Sequence, residues 1–300
     1  MERRESAFAQ ATAVLPPTRQ GDLAVLSDWE WRRVEELRLR VGYPLSVVLP
    51  EGERSLGGQA VTSEELEFLL ERASQASIHA VLEQLREGFL TIQGGHRLGF
   101  CGRVVTEKGR ITFLRELTSA SIRLAREIPG VGQELAKELF EEGVCSTLIL
   151  APPGGGKTTL LRDLIRTLSA GEGVPPCRVG VVDSRGELGA VFQGKPQMDL
   201  GPRTDLMTGC DKARGLMLLL RAMNPQVLAV DEVTSPEDVE AMELACGCGV
   251  EVLATVHGAR QEDLNRRGLY RELLGMGLFR RLVTIQGRGA QRAYTVEVLK

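Results

Sequence analysis

Aromatic side chains are scarce in this chain. Phe, Tyr and Trp make up 4% of the 300 residues, and there are three histidines. Nor is there an excess of positive charge: the net charge is −3 and the pI about 5.8. Sequence-independent nucleic-acid binding rests on many Lys/Arg–phosphate contacts and often on aromatic stacking platforms. The composition therefore argues against a nucleic-acid partner. Long apolar runs are missing as well. The most compact one, Leu216 to Leu220, falls far short of the roughly 18 residues that suggest a membrane helix. The amino terminus, with Glu2, Arg3, Arg4 and Glu5, does not read as a secretory signal. A cytoplasmic protein is expected, docked peripherally at most on a membrane complex. The six cysteines are scattered, which fits reduced, mostly packed thiols, and Cys246 and Cys248 lack a second pair at zinc-ligand spacing.

What is present centres on Ser146 to Leu160. Thr147 to Leu150 is β-branched and aliphatic and reads as a buried strand. Ala151-Pro152-Pro153-Gly154-Gly155-Gly156 cannot continue it. Lys157-Thr158-Thr159 then opens a helix with Leu160, Leu161, Leu164 and Ile165 on one face. Strand, glycine-rich loop and helix in this order form a phosphate cradle. Glycines let backbone N–H groups turn towards one anion, and the helix amino terminus adds positive field. The expected nucleotide ligands are Pro153, Gly154, Gly155, Gly156, Lys157, Thr158 and Thr159. Lys157 would reach the β- and γ-phosphates of ATP, and the Thr158 hydroxyl would ligate Mg²⁺. The first position of the strict pattern is Gly, and here it is Ala151.

A second apolar strand, Val227 to Val230, ends in Asp231-Glu232. A carboxylate at the carboxyl end of a buried strand sits beside such a cradle. Asp231 is expected to hold Mg²⁺, and Glu232 to orient and deprotonate the attacking water. Val181-Val182-Asp183-Ser184-Arg185-Gly186-Glu187 leaves another strand, and loops there converge on a ligand. Glu187 or Asp183 is thus a candidate for reaching the metal or the water. His257, at the end of Ala254 to Val256, is placed to sense the γ-phosphate. Arg221 precedes the acidic strand and is a candidate for a neighbouring subunit's nucleotide.

The remaining pattern predicts an α/β protein: a mostly parallel sheet, preceded by a smaller α+β domain. Boundaries at 1–127 and 128–300 follow from the glycine-punctuated stretch Ile128 to Gly132. In the first part, helices are expected over Trp29 to Val41, from Thr62-Ser63 onward, and over Ile78 to Glu87. Strands are expected at Pro44–Leu49, Leu90–Ile92, Arg97–Val105, Arg110–Leu114 and Ser121–Leu124, with turns at Gly94-Gly95 and Lys108-Gly109. In the second, strands at Arg178–Val182, Val227–Val230 and Val250–Val256 alternate with helices at Lys212–Met223 and Pro236–Ala245. A closing hairpin, Phe279–Gln286 and Ala293–Leu299, ends the chain.

Taken together, Arg221…Asn224-Pro225, Asp231-Glu232 and Ala254-Thr255-Val256-His257-Gly258 resemble the ATPases that drive type II and type IV secretion. Glu36 to Leu45, Gly94 to Gly99, Ser121 to Ile128 and Val182 to Glu187 are more similar still to the stage III sporulation protein AA family. The resemblance implies RecA-like ATPase domains in a homo-oligomer, a hexameric ring, with nucleotide between the two domains and at subunit interfaces. It assigns Glu187 and His257 to the catalytic set and nominates Arg123, with Arg126 beside it, as phosphate-contacting arginines. It implies an Mg²⁺-dependent ATPase motor serving a secretion-like membrane channel between mother cell and forespore. The alternatives are a nucleotide-loaded assembly factor with little turnover and a RecA-like nucleic-acid motor.

Overall fold

The computed structural model describes residues 2–74, 88–107, 110–287 and 292–299. Two compact units emerge. The first is Met1–Arg126 together with Ala190–Gln197, and the second is Glu127–Gly189 with Met198–Lys300. The short segment Ala190–Gln197 thus lies apart in sequence from the unit it belongs to.

The first unit opens with helices α1 (Glu2–Thr12), α2 (Pro17–Gln20) and α3 (Asp28–Trp31). Strands β1 (Glu36–Arg40), β2 (Ser46–Leu49) and β3 (Gly52–Ser55) follow, then helix α4 (Ser63–Ala73) and strands β4 (Leu90–Thr91), β5 (Arg97–Glu107) and β6 (Arg110–Arg123). The strands form one sheet in the order β3-β2-β1-β6-β5-β4, every neighbouring pair antiparallel. Its core face collects Leu37, Leu39, Val47, Leu98 and Ile122, all with no exposed surface, against Leu66 and Leu69 of α4. Burying each such leucine contributes about 1.5–3 kcal/mol.

The helix expected over Trp29 to Val41 is a short helix followed by a strand. Trp31, Val34, Leu37 and Val41 fit helical spacing, but Leu37 and Leu39 alternate with Arg38 and Arg40. That two-residue period is the one that packs. Arg38 reaches Glu36 and Arg40 reaches Glu53, so both arginines serve the sheet's other side. Arg110 to Arg123 is one strand rather than two; Glu116 takes a left-handed φ of 48° beside a register shift at Cys101/Arg103. Thr62 caps α4 through a capping box with Glu65. The predicted helix at 78–87 and the Lys108-Gly109 turn lie outside the described residues.

In the second unit, α5 (Gln133–Leu139) leads to β7 (Thr147–Ala151) and α6 (Lys157–Ala170). Then come β8 (Val179–Asp183), β9 (Thr204–Thr208), α7 (Lys212–Ala222), β10 (Val227–Val230), α8 (Pro236–Gly247) and β11 (Glu251–His257). Helices α9 (Gln261–Arg266) and α10 (Gly268–Gly275) precede the closing hairpin β12 (Arg281–Gln286) and β13 (Ala293–Val298). The sheet order is β13-β12-β7-β11-β10-β8-β9, parallel except for the β12–β13 pair. Strands β7, β8 and β10 are buried along their whole length, since separate apolar clusters cover the two faces. This is an α/β fold with a mostly parallel sheet. Because β7, β8, β10 and β11 run the same way, their carboxyl ends bring Ala151, Asp183, Asp231 and His257 to one edge.

Candidate active site

The loop between β7 and α6 is built on backbone conformations that side chains resist. Gly154 and Gly156 take φ of 73° and 99°. Gly155 is needed for a different reason: a Cβ there would lie 2.8 Å from Ala151 Cβ and 2.9 Å from the Pro152 carbonyl. Ala151 closes β7 without positive φ, so the strict pattern's first glycine is dispensable here. Helix α6 then anchors the loop through Leu160, Leu161, Leu164, Ile165 and Leu168, all buried.

Lys157 is 6% exposed, and burial depresses its pKa while Asp231, Glu232 and Glu187 act to raise it. Its ammonium donates to the carbonyls of Ala151 (3.2 Å) and Pro152 (3.5 Å), and to His257 Nδ1 at 2.8 Å. An ammonium has no acceptor. His257 Nδ1 therefore accepts, and the ring proton sits on Nε2, which faces Glu232 Oε1 at 3.1 Å. Glu232 Oε2 pairs with Arg185. The result is a chain Lys157–His257–Glu232–Arg185 along the loop edge of the sheet.

Next to it, the Thr158 hydroxyl donates to Asp231 Oδ2 at 2.6 Å, and Thr255 Oγ1 donates to Asp231 Oδ1 at 2.7 Å. A hydroxyl and a carboxylate at the start of a helix, beside a phosphate cradle, suit Mg²⁺, which binds one or two side chains, water and phosphate oxygens. Among the described residues, no group of three or more His, Cys, Asp or Glu could hold a metal. A metal at Thr158 and Asp231 would thus be completed by a ligand's oxygens.

Glu232 is held in a left-handed conformation, φ 54°. Its N–H donates to Thr255 Oγ1 (2.8 Å), and its carbonyl accepts from Lys212 Nζ (2.6 Å), which also reaches Thr234 Oγ1 and Asp238. Sequence reading overlooked Lys212, whose nearness to Glu232 arises only from the packing of α7 against the β10 turn. Asp183 turns out to be a fastening for its own loop: its two oxygens accept the N–H groups of Glu187, Leu188 and Gly189 at 2.8–3.1 Å. Arg162 of α6 donates to the carbonyls of Glu187 and Leu188. Burial lowers its pKa. Glu187 is half-buried on that fastened loop, and its charge reaches Lys157. Arg221 is not part of the cluster. It is exposed at the carboxyl end of α7, which leads to the start of β10, at the sheet edge opposite the cradle. Arg123 belongs to the first unit, at the end of β6, within 3.6 Å of Glu36. Arg126, in the same unit, donates to the Val34 carbonyl.

This fold and loop define a RecA-like P-loop core with an amino-terminal sheet domain. The solved structures it resembles are ATPases of that build. The chain superimposes on the Legionella pneumophila ATPase DotB with a TM-score of 0.60 and 16% identity, covering 89% of this chain and 77% of that one. The pilus retraction motor PilT, solved with bound ADP, gives 0.59 and 17%, covering 89% and 80%. Residues 22–294 match the family model described as sporulation stage III, protein AA, and the chain belongs to that family. It is 38% identical over 255 residues to stage III sporulation protein AA of Bacillus subtilis (strain 168), covering 85% of this chain and 83% of that protein. It is also similar to the SEEDLING PLASTID DEVELOPMENT 1 protein of Arabidopsis thaliana, 23% identical over 268 residues, which span 87% of this chain and 35% of that longer protein.

Proposed function

We propose that the protein is an Mg²⁺-dependent ATPase that works as a motor in a homo-oligomeric ring. One observation carries the reading: the hydrogen-bonded chain from Lys157 through His257 to Glu232, beside the Thr158–Asp231 pair. Lys157 and the loop N–H groups bind the β- and γ-phosphates of ATP. When bound, Mg²⁺ offsets the negative charge of those phosphates. Glu232 takes the proton of the attacking water. The water oxygen forms a bond to the γ-phosphorus, the bond to the β–γ bridging oxygen breaks, and ADP and phosphate leave. Although Glu232 holds His257 and Arg185, a carboxylate offers about four lone-pair sites, so accepting capacity remains. His257 joins the ammonium that senses the γ-phosphate to the carboxylate that activates water, which couples occupancy to hydrolysis.

The sporulation family and the resemblance to secretion and pilus ATPases support the finer reading: a hexamer, peripheral at a secretion-like membrane channel between mother cell and forespore. In it, Arg123 or Arg221 reaches a phosphate from another domain or subunit. No described helix is long and apolar enough to cross a membrane. The test is ATP hydrolysis by the full chain at increasing concentration. Turnover should rise with assembly, vanish in Glu232→Gln with ATP retained, and vanish in Lys157→Ala with ATP lost. Wild-type protein with no Glu232-dependent hydrolysis when assembled would overturn it.

A further inference from the structure

Strand β12 lies beside β7 and runs parallel to it, with Thr284 opposite Leu150. β13 returns antiparallel, with Ala293 opposite Gln286. The start of β13 is therefore brought back to the edge where β7 gives way to the glycine loop. Arg292, the residue before that strand, lies over the loop itself. A Cβ built on Gly156 would lie 2.7 Å from Arg292 Cζ and 3.0 Å from its Nε and Nη1.

The surroundings of this guanidinium are unfavourable to a cation taken alone. Lys157 is the next residue after Gly156, and the amino end of α6 contributes positive field. Arg292 Nε is buried and has no hydrogen-bond partner, and no ion pair among the described residues engages the side chain. Two residues on, Tyr294 packs against the core that holds α6. Its phenol is raised in pKa chiefly by burial, while the Arg292 charge works the other way. Arg292 is thus fixed by a packed strand in a cradle already rich in N–H donors and positive charge. A multiply charged anion is the group that would satisfy all of them.

We propose that Arg292 is a ligand of the nucleotide's phosphate chain, supplied in cis by the carboxyl-terminal hairpin. The inference rests on the nucleotide-binding reading and adds a side chain to it. Arginine's fork can bond two phosphate oxygens at once, which a lysine cannot copy. Glycine at 156 has a second use on this view, since any side chain there would displace the guanidinium.

The experiment is calorimetric binding of Mg·ATP and of inorganic tripolyphosphate to the full-length wild type, Arg292→Ala, Arg292→Lys and Lys157→Ala, with thermal unfolding of each. Arg292→Ala should weaken both ligands by the same factor, about 10- to 100-fold, as expected for losing a charge-assisted contact. Arg292→Lys should recover part of that loss. If Arg292→Ala fails to fold, Arg292→Lys still decides the matter through its own several-fold weakening. Unchanged tripolyphosphate affinity in the Arg292 variants would overturn the proposal, whether ATP affinity also held or fell through a base contact. Wild type that binds neither ligand would sink the nucleotide reading and this one with it. Wild type binding that depends on Lys157 but not on Arg292 would sink this one alone.

Discussion

Glu232 Oε1 stands 3.1 Å from His257 Nε2, and the other ring nitrogen stands 2.8 Å from Lys157 Nζ, so one imidazole links the base to the phosphate-binding ammonium. Truncating the ring in His257→Ala leaves Lys157 its carbonyl partners but frees one side of Glu232. ATP affinity should stay within about threefold, while hydrolysis falls about 10- to 100-fold, the worth of one hydrogen bond to a charged group. Single-turnover hydrolysis beside equilibrium binding separates the two. A loss of binding equal to the loss of rate would show the histidine acting on the ground state instead.

Lys212 is predicted to be a positioning residue. In Lys212→Met, Asp238 loses its cation while only 5% of its side chain is exposed, and the Glu232 carbonyl loses the donor that holds the φ 54° turn. Asp238 keeps its bonds from the N–H groups of Thr234 and Ser235, so the destabilisation should sit near the low end for a broken buried pair, about 3 kcal/mol. Denaturant unfolding measures that. The positioning role is read separately, as lowered turnover with little change in KM under conditions where the variant is folded.

Asp183→Asn replaces a carboxylate that accepts three backbone N–H groups with an amide bearing one acceptor oxygen. At least one donor of Glu187, Leu188 or Gly189 then faces an NH₂. A loss of about 2 kcal/mol is expected. Cleavage within 184–189 should quicken in limited proteolysis, with the new amino termini read by mass spectrometry.

His96 is fully buried, and its Nδ1 accepts the Ala125 N–H at 3.0 Å. Burial lowers its pKa from 6.5 to about 4. Between those values the unfolded chain binds a proton that the folded chain refuses, so stability falls as pH drops through that window and this contribution levels off below it. His96→Asn keeps an acceptor for Ala125. Its stability should be lower than wild type at pH 7, yet decline less between pH 6.5 and 4. Urea unfolding across that range gives both slopes, and identical slopes would contradict the assignment.

Much of the site could be read from sequence, because the features that build it are local. The glycines answer to φ values and close approaches within a few residues. The buried strands β7 and β10, covered on both faces, must be unbroken apolar runs; Lys157 follows β7 across the short glycine loop, and Asp231-Glu232 follow β10 directly. The β1 segment misleads because Trp31, Val34, Leu37 and Val41 mimic a helical stripe, while the decisive pairing partners, Val47 and Ile122, lie elsewhere in the chain. Edge strand β9 is half-exposed along most of its length and carries no comparable apolar run. Lys212 and Arg292 leave no local trace at all. Each reaches the cradle edge only through strand order.

The segment Ala190–Gln197 changes what a domain boundary means in this chain. The Phe192–Lys195 bridge closes the segment on itself, and the Gly94 N–H, which donates to Gln197 Oε1 at 2.9 Å, ties it to the rest of the first unit. With Phe192, Lys195 and Gln197, it also lines a cavity of about 480 Å³ shared with Gln10 and Arg72. The backbone passes between the two units at Arg126–Glu127, at Gly189–Ala190 and again at Gln197–Met198. A single nick in the glycine-rich stretch after Arg126 would cut the chain into two fragments, and on a native column they should still run together, held by the packing of Ala190–Gln197 against the first. A fragment ending at Arg126 would leave a groove where a piece of its own wall belongs. Swapping the first domain between relatives would transplant an incomplete object unless these eight residues travelled with it.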